Sequence, residues 1–112
     1  MRMRTLASAA ALAAATLAPV VVLDAPAGAA TTRTWNRIAQ CESGGNWHIN
    51  TGNGYYGGLQ ISGSTWRGYG GGRFASLPSK ASKRQQIKVA ERIRRGQGWG
   101  AWPTCSARAG VR

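Results

Sequence analysis

The sequence predicts a small α+β fold, a few helices around a short irregular β-hairpin, held by one disulfide. Three observations carry this. Apolar residues recur at helical spacing in two stretches, Trp35 to Ala39 and Ile87 to Ile93. Between them lies a glycine- and asparagine-rich segment with scattered aromatics, which is hairpin chemistry. The only cysteines are Cys41 and Cys105, so a single pairing is possible.

Residues 1–30 read as a secretory signal peptide. Met1-Arg2-Met3-Arg4 is cationic, Leu6 to Leu23 is apolar, and Ala25-Pro26-Ala27-Gly28-Ala29-Ala30 supplies small residues in the A-x-A pattern of a cleavage site. An alanine-rich stretch broken by Pro19 suits a cleaved leader better than a permanent span. Residues 31–112 then form one domain, expected to be a monomer that is secreted or held in the cell wall, without a stable membrane anchor. Domains this small bury little apolar surface, so a staple matters. Closing the loop from Cys41 to Cys105 stabilises by roughly 4 kcal/mol in the chain-entropy model. Two distant cysteines and one histidine do not have zinc-site spacing, and no metal or cofactor is expected.

Fifteen Lys and Arg against three Asp and Glu give a formal charge of +12. Nucleic acid is the usual counterpart of such a balance, but export argues against it and favours an anionic cell envelope. Outside the leader the only acids are Glu42 and Glu91.

Taken in order, Thr34 is placed to cap a helix starting at Trp35. Trp35, Ile38, Ala39 and Glu42 stand at i, i+3, i+4 and i+7, so the carboxylate shares the apolar stripe. Gly44-Gly45 ends the helix, leaving an acid in a last turn that disfavours negative charge. Asn53-Gly54 marks the expected hairpin turn, with Trp47, Ile49, Tyr55, Tyr56, Leu59 and Ile61 around it. Ser62 can cap a short helix through Thr65 and Trp66, and Gly68 to Gly72 reads as a loop. Ser82 and Gln85 form a capping box for a helix running to about Arg95, ended by Gly96, with Ile87, Ala90 and Ile93 on one face. Gly98 to Cys105 is aromatic and turn-like.

Breaking a glycosidic bond calls for protonation of the leaving oxygen, so the catalyst has to be an acid that keeps its proton near neutral pH. Burial against apolar groups achieves this, because desolvation disfavours the charged form. Glu42 is therefore the candidate catalytic residue. An exposed helix-end glutamate paired with one of many arginines is the plainer alternative. Most glycosidases use two carboxylates, but Glu91 has Lys88, Arg94 and Arg95 within helical reach, and surface ion pairing accounts for it. A single-acid route is expected, in which the sugar's own hydroxyl closes onto the anomeric carbon. Of the aromatics, Trp35, Trp99 and Trp102 are assigned to the core. Trp47, Tyr55, Tyr56 and Trp66 are candidates for a cleft where rings stack on sugar faces. His48, alone beside a turn, is read as solvated or structural.

Several motifs, in order, resemble the resuscitation-promoting factor domain. They are Cys41-Glu42-Ser43-Gly44-Gly45-Asn46-Trp47, the run from Asn50 to Gln60, Ser64-Thr65-Trp66, and the tail from Gln97 to Cys105. The likeness covers nearly all of Thr34 to Arg112. It implies a lysozyme-like fold related to soluble lytic transglycosylases. It also implies a muralytic activity, of lytic transglycosylase or lysozyme type, on the N-acetylmuramic acid–N-acetylglucosamine bond of peptidoglycan. Wall remodelling of this kind stimulates growth or revival of dormant cells. The resemblance puts Glu42 on the catalytic glutamate and Thr65 and Gln97 on glycan-contacting positions, with Gln60 and Trp66 in the same motif. Some members carry an acid where Ser62 stands, which bears on the rate. Peptidoglycan glycan strands are the expected partner, together with a wall endopeptidase.

Two rivals stand beside this reading. A non-catalytic peptidoglycan-binding or signalling module on the same fold would keep Glu42 as a relic. A cationic antimicrobial protein is disfavoured, because its amphipathic stretches are short and interrupted.

Overall fold

In the computed structural model, which describes residues 29–112, helix α1 spans Thr32–Ser43. Nearly all of the expected leader lies outside the described residues. Thr31 caps α1: its backbone is extended and its side-chain oxygen accepts the Thr34 N–H at 3.2 Å. The cap is thus one turn upstream of the residue expected to fill it. Either threonine has the hydroxyl, but Thr34 is already helical. At the other end Gly44 takes φ 66°, and the N–H groups of Gly44 and Gly45 donate to the carbonyls of Gln40 and Ala39, both at 3.1 Å. That pair of bonds closes the helix in a Schellman motif, which the left-handed glycine permits.

The hairpin is shorter than expected and its turn lies elsewhere. Strand β1 is Tyr55–Tyr56 and β2 is Ile61–Ser62, antiparallel, with Tyr55 opposite Ser62 and Tyr56 opposite Ile61. The reversal runs through Gly57 to Gln60, whereas Asn53-Gly54 leads into β1. Asn53 instead uses its side-chain oxygen to accept the Tyr55 N–H at 3.0 Å, a local turn that competes with the hairpin role.

Ser62 caps helix α2, Gly63–Gly68, as expected. The segment read as a loop holds a 3-10 turn at Gly71–Arg73, and a second follows at Pro78–Lys80. Helix α3, Lys83–Gln97, opens with the full Ser82/Gln85 capping box. It runs past Gly96 to Gly98. Gly96 sits inside it because Tyr69 packs there: a Cβ would lie 2.6 Å from the Tyr69 hydroxyl. The tail is more ordered than expected, with a 3-10 turn at Trp99–Ala101 and a helix α4 at Pro103–Arg108, where Pro103 occupies the first turn.

One core joins these elements: Trp35, Ile38 and Ala39 of α1, Leu59 and Ile61 of the hairpin, Trp66, Val89, Ala90 and Ile93 of α2 and α3, and Trp102. Each large apolar side chain fully buried contributes about 1.5–3 kcal/mol over leaving it exposed. Trp35 packs against Trp99 in a tilted pair with centroids 5.2 Å apart and meets Trp102 edge-on at 5.0 Å. The buried face of α3 is Gln86, Val89, Ala90 and Ile93, while Ile87 is only partly covered. Gln86 is tolerated inside because its carboxamide is saturated. It accepts from Gly58 N at 3.0 Å and donates to the carbonyls of Trp47 at 2.8 Å and Ala81 at 3.0 Å.

Cys41 and Cys105 form the disulfide across a separation of 64, tying the end of α1 to α4. Small, with several helices, a short hairpin and this one clip, the chain has a lysozyme-like α+β architecture. Among the described residues no helix is long and apolar enough to cross a membrane.

Candidate active site

Glu42 stands in the last turn of α1, at the end of the stripe that buries Trp35, Ile38 and Ala39. It is partly buried and faces a hollow of about 340 Å³ lined also by Tyr55, Gln60, Ala101, Trp102, Pro103, Thr104 and Cys105. Sites for small molecules commonly span ~300–1,000 Å³. A second hollow adjoins it and shares Tyr55, Gln60, Ala101 and Trp102. Its remaining walls include Ile61, Ser62, Thr65, Ile93 and Gln97. The two form one groove, from the end of α1 to the ends of β2 and α3.

Glu42 has no hydrogen-bond or ion-pair partner among the described residues. Burial pushes its pKa up from the ordinary glutamate value, since desolvation penalises the carboxylate. A part-buried acid that keeps its proton longer than usual, open to a groove and tied to nothing, has the chemistry to donate that proton to a bound group.

Its neighbours are held firmly. Gln60 is the one non-glycine residue with positive φ among the described residues, at 52°. Its carboxamide bonds fix it, donating to the Gly57 carbonyl at 3.2 Å and accepting from Asn53 Nδ2 at 3.4 Å. A left-handed glutamine in a groove wall is strain of the kind that concentrates at binding sites. Tyr55 is 51% exposed, the one large hydrophobic side chain so open among the described residues, and offers a ring to the groove. Thr65 receives the Ser62 hydroxyl at 3.0 Å, so a hydroxyl pair, not an acid, occupies that stretch of wall. Gln97 arrives from the last residue of α3. Glu42, Tyr55, Gln60, Thr65 and Gln97 are therefore brought together.

Three expected cleft residues are not. Trp66 is 0% exposed; its ring lies against Gly71 and its indole donates to the Ala75 carbonyl at 2.8 Å, so it is core. Trp47 packs on Gly58, with Lys83 5.2 Å from its ring, and does not line the groove. Tyr56 follows Tyr55 in a strand, where successive side chains take opposite faces, and it does not line the groove. Trp102 is buried in the core, as expected, and its edge also walls both hollows, its indole anchored on the Leu59 carbonyl at 2.9 Å. The signal for it lay in the tail motif, whose helical path was not anticipated. His48 is structural, with Nδ1 2.9 Å from the Ser79 carbonyl.

Glu91 serves elsewhere. It is no surface residue: its side chain is only 14% exposed. One oxygen accepts the Trp35 indole N–H and the Ala30 backbone N–H, each at 2.9 Å, and the other pairs with Arg94 at 3.2 Å. Lys88 and Arg95, expected to share it, are not its partners. Among the described residues no lysine or arginine lines the groove, and no cluster of side chains could hold a metal ion.

A model of the transglycosylase-like domain family matches residues 29–105. The chain is 57% identical over 103 residues to resuscitation-promoting factor Rpf1 of Corynebacterium glutamicum, covering 89% of this chain and 53% of that protein. It is 53% identical over 94 residues to resuscitation-promoting factor Rpf of Micrococcus luteus, covering 84% and 41%. To RpfA of Mycobacterium tuberculosis it is 56% identical over 85 residues, covering 76% and 21%. The chain thus spans about half or less of the length of these relatives.

Proposed function

The chain belongs to the resuscitation-promoting factor family of transglycosylase-like domains, and from that premise we propose that it is an exported enzyme that cuts peptidoglycan glycan strands, with Glu42 as its proton donor. The observation that carries this is the state of Glu42: desolvated, unpartnered and open to a groove walled by Tyr55, Gln60 and Trp102. In the proposed reaction a strand lies along the groove with the N-acetylmuramic acid–N-acetylglucosamine linkage over Glu42. Its proton passes to the bridging oxygen as the bond to the anomeric carbon breaks. Tyr55 offers apolar surface to a sugar face above a floor formed by the buried Trp102, while Gln60, Thr65 and Gln97 supply hydrogen bonds to hydroxyl and acetamido groups.

No second carboxylate lines the groove among the described residues, and Glu91 is engaged at the opposite end of α1. A nucleophile supplied by the sugar suits that inventory. The C6 hydroxyl of the muramic unit attacks the anomeric carbon and returns its proton to the Glu42 carboxylate, which regenerates the acid and leaves a 1,6-anhydro end. Growth stimulation would follow from the remodelled wall, in the cell wall or medium where the enzyme works. Mass spectrometry of muropeptides released from purified walls tests the scheme. Anhydro ends that vanish with Glu42→Gln are expected. New ends carrying oxygen from labelled water would show hydrolysis instead, and no new ends at all would leave a binding module.

A further inference from the structure

We infer that the chain is cut between Ala29 and Ala30, and that Glu91 is the receptor for the α-ammonium group this cut creates. The inference rests on the export reading above and goes beyond it, by assigning both the bond that is broken and the side chain that receives the new terminus.

The A-x-A pattern occurs twice, as Ala25-Pro26-Ala27 and as Ala27-Gly28-Ala29, and Gly28-Ala29-Ala30 offers the same small residues, so sequence alone allows a cut after Ala27, Ala29 or Ala30. The structure separates them. The nitrogen of Ala30 lies 2.9 Å from Glu91 Oε2, although the two residues are 61 positions apart. Ala30 also packs against the core. A cut after Ala27 would leave this nitrogen a neutral amide. A cut after Ala30, which would make Thr31 the first residue, would delete the donor. Only a cut after Ala29 makes it an ammonium facing a carboxylate.

The surroundings call for such a pairing. Ala30 lies just before the N-terminus of α1, where the helix dipole repels a cation, and the first turn of α1 contains no acid. Glu91 brings a carboxylate there from α3. Its Oε1 is occupied by Arg94, and Oε2 holds Trp35 Nε1 and Ala30 N together. A terminal ammonium at that nitrogen gives a charge-assisted bond to a part-buried oxygen, stronger than the amide bond it replaces. In the cut itself a signal endopeptidase adds water across the Ala29–Ala30 amide. The hydroxyl goes to the Ala29 carbonyl carbon, and the nitrogen gains protons to leave as the Ala30 ammonium. Removal of the leader thus completes an ion pair that the uncut chain lacks.

Two measurements test this. Intact mass and N-terminal sequencing of the secreted protein should give Ala30 as the first residue. A secreted chain beginning at Gly28 or Thr31 overturns the proposal and leaves export standing, whereas a chain retaining Met1 overturns both. Separately, the 30–112 chain with a free amine is compared with its Nα-acetylated form. Acetylation removes the charge and should lower the melting midpoint by several degrees, a gap that should close in Glu91→Gln. An equal gap in the variant, or none in the parent, overturns the role of Glu91. Should Glu91→Gln fail to fold, acylation kinetics on the parent decide: the Ala30 amine should react at least tenfold more slowly than in an unfolded peptide, and equal rates overturn the proposal.

Discussion

Glu42 and Glu91 are the same residue type, carried by helices that share one core, and they meet opposite surroundings. Glu91 closes three contacts, from an indole, a backbone N–H and a guanidinium, and no freedom is left to it. Glu42 closes none, and partial burial makes its charge unwelcome. A carboxylate with every lone pair occupied is structure. One partly desolvated and without a partner keeps its proton to higher pH. The contrast also shows why charge spacing along a helix misleads. Arg94 does pair with Glu91, as spacing suggested, but the partners that bury it come from α1 and the chain before it.

The comparison can be broken most directly at Glu42. Glu42→Gln keeps the shape and removes the transferable proton, so wall clearing should fall by about 10²–10⁴-fold, the usual worth of a positioned acid. Its melting temperature at neutral pH should be unchanged or higher. Parent-like clearing by the variant would end the catalytic assignment.

Reduction of Cys41–Cys105 should act next, removing about 2–5 kcal/mol of stability. The bond joins the neighbour of Glu42 to the wall of its own hollow, so at temperatures where the reduced chain is still folded, clearing should drop while the Trp35–Glu91 side is preserved. Indole hydrogen exchange at Trp35, measured beside activity, reads both. Simultaneous loss of the two would merge the regions that the comparison separates.

At Glu91 the expected loss is in folding alone. Glu91→Ala strands the Trp35 indole and leaves Arg94 without its carboxylate, for about 1–3 kcal/mol. Clearing per folded molecule should stay within about twofold. A tenfold fall at equal folded fraction would bring Glu91 into the chemistry.

The smallest effect is in pH. Because the folded pKa of Glu42 is raised, its contribution to stability is most favourable below the unfolded value. That contribution declines as pH rises from there through the folded value, then stays flat. Clearing should fall over the same upper limb, as the proton is lost. Melts of the parent against Glu42→Gln across pH should differ in this sense; a difference of opposite slope would mean that the carboxylate has a partner.

Helix α1, its acid stripe, the capping box of α3 and the disulfide were legible because each depends on local spacing or on a count. Glu42, Tyr55, Gln60, Thr65 and Gln97 were named and do meet. What failed were the judgements needing three dimensions. Trp66 and Trp102 are both tryptophans in motifs, yet the first is sealed by Gly71 and Ala75 while the second walls the groove. Nothing in their neighbours along the chain distinguishes them. Gln86 was invisible for a related reason: a buried glutamine is read as surface until Gly58, Trp47 and Ala81 are seen to saturate it. Asn53-Gly54 carried a hairpin signal that the Asn53 side chain answers differently.

In a chain of net charge +12, no lysine or arginine among the described residues lines the groove walls, and under the proposed function this would divide adhesion from cutting. Cations line other places, such as the hollow formed by Thr32, Lys83, Arg84 and Ile87. Toward an anionic wall the protein would behave as a counterion on an exchange resin, retained by its exterior while the neutral groove samples strand after strand. Salt would then elute the enzyme before it inhibits it. Raising ionic strength shortens the Debye length to about 3 Å at 1 M, and should slow the clearing of intact walls while leaving the turnover of short, uncharged oligosaccharides nearly unchanged.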